Sequence, residues 1–295
     1  MTMTFRLPII AGVLGLLSWS GATFAEEITG RVADASRVVS IGDSITEIVY
    51  ALGEEGRLVG RDSTSTYPDA ASKLPDVGYM RALSPEGVLS INPTAIIAVE
   101  GSGPKETIEV LKKASVPFVF VPEKYTAASV AEKIRTVGKA LGADAKAEKL
   151  AKQVEADLAV AQAETKEITA RKRVLFILSA KDGKIMGSGT KTAANGIIEL
   201  AGAENAITEF EGYKPLTDEG IITAKPDVIL VMDRGGDHAA ANAALLANRA
   251  IAATPAGEAK NIVRMNGQLL LGFGPRAAKA AHDLARAVYG NEVSP

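Results

Sequence analysis

The chain has 295 residues, with 33 Lys and Arg against 35 Asp and Glu and a formal net charge of −2, a balance that argues against a nucleic acid as partner. It contains no cysteine, so disulfides cannot hold it together, and with 47% apolar residues stability has to come from the core. At this length one large domain or two lobes can bury enough surface.

Residues 1–25 carry one charge, Arg6, then the apolar run Leu7–Trp19 and small residues ending Thr23-Phe24-Ala25. The run is shorter than the ~20 residues a spanning helix requires. We read it as a secretory signal peptide cleaved after Ala25.

From Arg37 strands alternate with helices. Arg37–Ile41 is a short apolar strand, Gly42-Asp43-Ser44 a turn and helix cap, and Ile45–Leu52 a helix closed by Gly53. Leu58–Gly60 is a second strand, followed by the turn-rich stretch Arg61–Pro75 and by Val77-Gly-Tyr-Met-Arg-Ala-Leu83. Ala95–Val99 and Pro117–Val121 are further strands, with a helix over Lys105–Ala114 between them. This alternation implies a parallel α/β sheet.

Ala127–Ala170 is charged, Ala-rich and helical in spacing, and Asp144–Glu167 lacks both Gly and Pro. We expect one long helix there, joining two lobes. Strands resume at Arg173–Leu178, followed by Gly-rich turns at Asp182-Gly183 and Gly187-Ser-Gly189, a helix over Thr192–Leu200 and a loop at Phe210–Pro215. The chain finishes with a strand near Ile262–Met265, the turn Leu271–Arg276 and a helix over Ala277–Tyr289. The boundaries expected are a signal peptide at 1–25, a first lobe at 26–143, a linking helix at 144–170 and a second lobe at 171–295.

An internal repeat supports two equivalent lobes. Leu83–Val99 matches Leu216–Met232, with Leu, Glu, Gly, Pro and Ile identical in register. In each copy Ser84 or Thr217 can cap a short helix, and Glu86 or Glu219 lies in its first turn at the favourable end of the dipole. Pro93 or Pro226 then stops the helix ahead of an apolar strand. Two similar Rossmann-like lobes with mostly parallel sheets would form a ligand cleft beyond the carboxyl ends of their strands.

Several segments carry a resemblance: Arg37-Val-Val-Ser-Ile41, Thr46–Gly53, Leu58-Val-Gly60, Tyr67-Pro68, Leu74–Gly87 and Gly272-Phe-Gly-Pro-Arg276. Together they resemble the periplasmic haem-binding proteins of bacterial ABC importers, within a wider group that includes siderophore and vitamin B12 carriers. The resemblance covers essentially the whole chain after the signal peptide, and Gly78–Leu83 is the part that points to haem.

The resemblance implies a periplasmic carrier without catalytic turnover, likewise expected to be a monomer. It makes Tyr79 the axial ligand of ferric haem iron, for which a phenolate is a suitable hard donor. A phenol ionises near pH ~10 unless a cation favours the anion, which fits Arg81 two residues on. Arg234 is the candidate opposing cation, and either arginine could instead fork onto a haem propionate. Tyr213 falls close to where the repeat would place a counterpart of Tyr79. In such proteins one surface glutamate per lobe pairs with arginines of the permease dimer, which implies docking through Glu86 and Glu219. An outer-membrane haem receptor system would lie upstream.

Some haem carriers add a histidine from the second lobe. None lies between Arg173 and Gly189, which implies five-coordinate iron, with Met186 the only other candidate there and more a packing residue. The two histidines, His238 in a polar loop and His282 in the last helix, lie elsewhere. A rival reading rests on Ser40-Ile-Gly-Asp-Ser44, which resembles the first block of GDSL-type esterases with Ser44 as nucleophile. Those enzymes carry a late Asp-x-x-His pair, whereas His282-Asp283 runs in the opposite order and His238 has no such partner in sequence.

Overall fold

A computed structural model describes residues 30–293 apart from positions 182 and 234. The expected signal peptide therefore lies outside the described residues.

Four short strands form the first sheet: β1 (Val38–Ile41), β2 (Leu58–Arg61), β3 (Ala95–Val99) and β4 (Phe118–Val121), in the order β2-β1-β3-β4 and all parallel. Strands β1 and β3 are buried on both faces, which explains their unbroken apolar sequence. Crossovers are made by α1 (Asp43–Ala51), α2 (Pro85–Leu89) and α3 (Lys105–Lys113). The cap of α1 is Gly42, not the expected Asp43-Ser44 pair: Gly42 has φ 107, and a Cβ there would meet Val99 at 2.6 Å.

The helical stretch is two helices. α4 (Ala127–Leu141) ends on Gly142 in the left-handed conformation, and α5 (Asp144–Ala163) follows. Residues 164–167, expected to continue α5, form turns, and Glu164 serves as its C-cap. α5 packs on α4 on one side and, on the other, on α12 (Ala277–Tyr289) at the far end of the chain.

The second sheet departs from expectation. Its members are β5 (Arg173–Lys181), β6 (Lys184–Ser188), β7 (Glu204–Asn205), β8 (Tyr213–Leu216), β9 (Val228–Asp233) and β10 (Ile262–Asn266), in the order β10-β9-β5-β6-β8 with β7 beside β5. The pairs β10–β9 and β9–β5 are parallel, but β5–β6 and β6–β8 are antiparallel, so the sheet is mixed. The Gly-rich segment 183–189 thus makes a hairpin with β5, and the stretch expected as a loop at 210–215 supplies an edge strand carrying Pro215. Helices α6 (Ala193–Leu200) and α7 (Asp218–Ala224) were legible in the sequence. Three short helices were not: α8 (His238–Leu246), α9 (Arg249–Ala252) and α10 (Pro255–Glu258). A further single turn, α11 (Gly267–Leu271), precedes the Gly272–Arg276 turn.

The repeat is a structural fact. Ser84 Oγ accepts the Gly87 N–H at 3.0 Å, and Thr217 Oγ1 accepts the Gly220 N–H at 3.0 Å. Even the exits match: Asn92 (φ 50) and Lys225 (φ 43) both turn left-handed ahead of their prolines.

Alternate residues of each strand point to opposite faces and so sort into separate cores. Val88 of α2 and Leu111 of α3 pack on the outer face of the first sheet with Val39, Ile41 and Ile96. Ile221 of α7 and Ile251 of α9 do the same for Leu175, Ile229 and Val231 of the second. The inner faces share one continuous cluster. It runs from Val38, Ile97 and Val121 through Ala151, Val154 and Leu158 of α5 to Val174, Phe176, Leu230 and Leu284. Two α/β lobes are thus joined by a common core with α5 inside it.

Candidate functional site

Tyr79 stands on a loop that several bonds hold in place. Arg61 Nη1 donates to Asp76 Oδ2 at 2.7 Å, and Asp76 Oδ1 accepts the Gly78 N–H at 2.8 Å. Gly78 has φ 106, a conformation that favours glycine, and its carbonyl accepts the Ser63 N–H at 2.9 Å. Beyond it the Met80 carbonyl accepts from Gly103 at 2.8 Å, and Leu83 donates back to the Gly103 carbonyl at 2.9 Å. Against this fixed backbone the Tyr79 side chain is left open: the residue is 44% exposed, among the few large apolar residues at the surface.

Arg81 lies beside it, with Nη1 donating to Tyr79 Oη at a long 3.4 Å. Its positive field also reaches Tyr125, at the end of the first sheet, and Tyr213, on β8 of the second. The guanidinium therefore touches one phenol and acts weakly at a distance on two others, one of them on the second sheet. Burial pushes the Tyr125 hydroxyl up to about 12, with the charge of Glu123 adding to the rise. Burial also raises Tyr213, against hydrogen bonds from the Ala194 N–H and Thr192 at the start of α6. Both rings are packed in place, Tyr125 edge-on to Phe273 at 5.3 Å and Tyr213 edge-on to Phe176 at 6.3 Å.

Arg81 thus touches Tyr79 and lies within electrostatic range of Tyr213. Tyr125 joins them unforeseen; its signal was position, a tyrosine just past the carboxyl end of β4. Arg234 lies outside the described residues. Glu86 and Glu219 are both exposed, each in the first turn of a repeat helix on the outer face of its own sheet, apart from the tyrosines. Met186 lies half-buried on β6, opposite Pro215.

The histidines have acidic partners that the sequence order concealed. His238 Nε2 lies 2.8 Å from Asp233 Oδ1, and His282 Nδ1 lies 2.7 Å from Glu164 Oε2. The Gly235 N–H and His238 hold the Asp233 carboxyl below its usual range, against a smaller opposing effect of burial. Ser44, the residue an esterase would use, is 2% exposed, and its Oγ accepts from Lys133 Nζ at 3.2 Å. A cavity of about 560 Å³ opens between the β5–β6 hairpin, β9 and α8, lined by Ile177, Ile185, Val231, Leu245, Lys181 and Arg264 among others. None of Tyr79, Arg81 and Tyr213 is among its lining residues.

Two α/β lobes sharing a core, with polar and aromatic groups from both converging beyond the strand ends, define a two-lobe ligand-binding protein. The model of the periplasmic binding protein family matches residues 38–269, and the chain belongs to that family. Among solved structures it is similar to the periplasmic heme-binding protein RhuT from Roseiflexus sp. RS-1 in apo form, 39% identical with a TM-score of 0.82. That match covers 88% of this chain and 100% of the other. It is also similar to the periplasmic heme-binding protein BhuT in complex with two hemes, 40% identical with a TM-score of 0.80, over 85% and 97% of the two chains. Among sequence relatives, an uncharacterised ABC transporter substrate-binding lipoprotein, YvrC of Bacillus subtilis (strain 168), is 32% identical over 203 residues. This is 68% of this chain but 64% of that protein, just under two thirds of its length. A vitamin B12-binding protein of Vibrio parahaemolyticus serotype O3:K6 (strain RIMD 2210633) is 26% identical over 207 residues, 70% of this chain and 74% of the relative.

Proposed function

We propose that this protein captures haem in the periplasm and delivers it to an inner-membrane ABC importer, with Tyr79 as the ligand of ferric iron. The observation that carries this reading is the inequality among the three phenols near Arg81. Tyr125 and Tyr213 are packed and pushed toward the neutral form, while Tyr79 is open to solvent with a guanidinium against its oxygen. An accessible phenol oxygen with a guanidinium beside it suits a hard ferric ion. The two haem-binding proteins at about 40% identity support the same cargo.

In this reading the lobes are residues 26–143 and 171–295, linked by 144–170, and export removes residues 1–25. Tyr213 lines the haem pocket from the second lobe, with Arg234 as a further pocket cation at the end of β9. Glu86 and Glu219 dock the two lobes on the permease dimer, at a spacing the shared core keeps fixed. A siderophore or corrinoid cargo is the second reading, favoured by the vitamin B12-binding relative.

Titration of the purified protein with hemin tests the assignment. The expected result is a saturable Soret band with a phenolate-to-iron charge-transfer band that disappears in Tyr79→Phe and is not competed by cyanocobalamin. Binding of cyanocobalamin without a hemin spectrum would move the protein to the corrinoid class. An unaltered hemin spectrum in Tyr79→Phe would remove Tyr79 as ligand.

A further inference from the structure

Residues 75–78 lead into Tyr79 along the end of β2. Arg61 pairs with Asp76 as a one-residue parallel bridge, its N–H donating to the Pro75 carbonyl at 2.9 Å and its carbonyl accepting the Val77 N–H at 3.0 Å. Val77 is 5% exposed, and a Cβ at Gly60 would lie 3.2 Å from its Cγ1. Backbone pairing and one apolar anchor thus fix the chain as far as Val77. Gly78 has no such packing: a Cβ there would meet nothing within 4 Å. The direction in which Tyr79 leaves the loop is therefore set by the polar bonds to Gly78, from its N–H to Asp76 Oδ1 and from the Ser63 N–H to its carbonyl.

The Asp76 side chain is 44% exposed, so on its own it would turn in water and hold nothing. Arg61 orients it. The arginine side chain is 11% exposed and is seated by Nη1 on the Asp62 carbonyl at 3.1 Å, with Nη2 3.5 Å from the Ser72 carbonyl. From there Nη1 donates to Asp76 Oδ2 at 2.7 Å, which leaves Oδ1 aimed at Gly78. The arrangement has a cost. Arg61 Nε is buried without a hydrogen-bond partner, alone in that among the side-chain atoms of the described residues. An arginine that only filled its pocket would be poorly suited to it, because an unpaired buried N–H destabilises. What Arg61 supplies is a fixed donor for Asp76.

We propose that Arg61 is a positioning residue for the cargo site: through Asp76 it fixes the Gly78 backbone and so aims the Tyr79 oxygen before cargo arrives. This rests on Tyr79 as the iron ligand and adds that the ligand is preorganised from behind its loop by a cation on β2. The contacts dictate how the clamp can be broken. Both Asp76 oxygens accept, so Asp76→Asn can satisfy only one donor, its amide nitrogen facing either Arg61 Nη1 or the Gly78 N–H. With Arg61 also replaced by Met that conflict is gone, and the amide oxygen is free to take the Gly78 N–H. Each single variant therefore loosens the loop, and the double variant is no looser than Arg61→Met.

Hydrogen exchange of the cargo-free protein, read by mass spectrometry, and hemin titration of the same variants provide the test. In Arg61→Met and Asp76→Asn the amides of residues 77–83 are expected to exchange roughly tenfold faster while β1 and β3 stay protected. Hemin affinity is expected to fall about tenfold, with a weaker charge-transfer band at saturation. An arginine that merely stabilised the fold would lower the melting midpoint and leave that band unaltered in the folded complex. Arg61→Met/Asp76→Asn is expected to match Arg61→Met within about twofold. Unchanged exchange at 77–83 in folded Arg61→Met or in Asp76→Asn overturns the proposal, as does a double variant whose loss is the product of the two single losses. A band lost in Tyr79→Phe with hemin affinity intact in Arg61→Met overturns the clamp and spares the ligand assignment. A band undiminished in Tyr79→Phe overturns the ligand assignment, and the positioning role with it.

Discussion

Replacing Lys133 by Met tests whether the polar contact between the lobes stabilises the fold. Met keeps most of the side-chain volume, so the loss is electrostatic. Glu123, with 10% of its side-chain surface exposed, is left beside the boundary with no cation, and the Phe273 carbonyl and Ser44 Oγ each lose a donor. Breaking a buried pair from one side costs about 3–5 kcal/mol, because the remaining charge is desolvated and unmatched. For a chain of this size each kcal/mol moves the melting midpoint by about 2–4 °C, which gives a drop of roughly 6–20 °C at pH 7. Circular dichroism melts supply the measurement. Lys133→Met/Glu123→Leu is expected to recover at least ~2 kcal/mol, since an apolar pair removes the orphaned charge. Burial already pushes the Glu123 carboxyl up despite Lys133, so the penalty of Lys133→Met is expected to shrink as the pH falls and Glu123 takes up a proton. A midpoint within about 2 °C of the unaltered protein, or a double variant less stable than Lys133→Met, would refute the reasoning.

Arg81→Met removes the guanidinium 3.4 Å from the Tyr79 oxygen, and with it a donor to a bound phenolate. Hemin affinity is expected to fall by about fivefold, and an unchanged affinity would dissociate Arg81 from the ligand site. Glu86→Lys and Glu219→Lys are expected to leave the hemin titration unchanged while slowing transfer to permease-containing vesicles about tenfold each, because rim charges act on encounter. Equal transfer rates in both variants would show that docking uses another surface.

The fold was largely legible because its signals are local. Apolar runs buried on both faces mark β1, β3, β5 and β9, and the repeat marks α2 and α7 down to their caps. What escaped was set by partners far away in sequence. Tyr213-Lys214-Pro215-Leu216 carries no strand pattern of its own and becomes β8 only because β6 offers an open edge. The Ala-rich stretch over α8 is exposed apart from a few positions such as Leu245, so no periodic apolar face announces it. At the site, Tyr79 and Arg81 sit two residues apart and could be paired on sight, whereas Tyr125 comes within range of Arg81 through the first sheet and Tyr213 only through the packing of two lobes. Gly272–Arg276 was visible as a family pattern, but its partner Glu47 lies at the other end of the chain, and nothing in sequence joins them.

These long-range pairs bear on how such a protein works. A core continuous through α5 resists large hinge motion, because opening the lobes widely would expose Val154 and Leu158 of α5 together with their neighbours on both sheets. Docking through Glu86 and Glu219, as proposed, would draw on that stiffness. Because that core does not include Lys133, the Lys133→Met protein is expected to melt, at its lower midpoint, in a single transition. Two separate transitions in that variant would show that the polar boundary, and not the apolar core, makes the two lobes one cooperative unit.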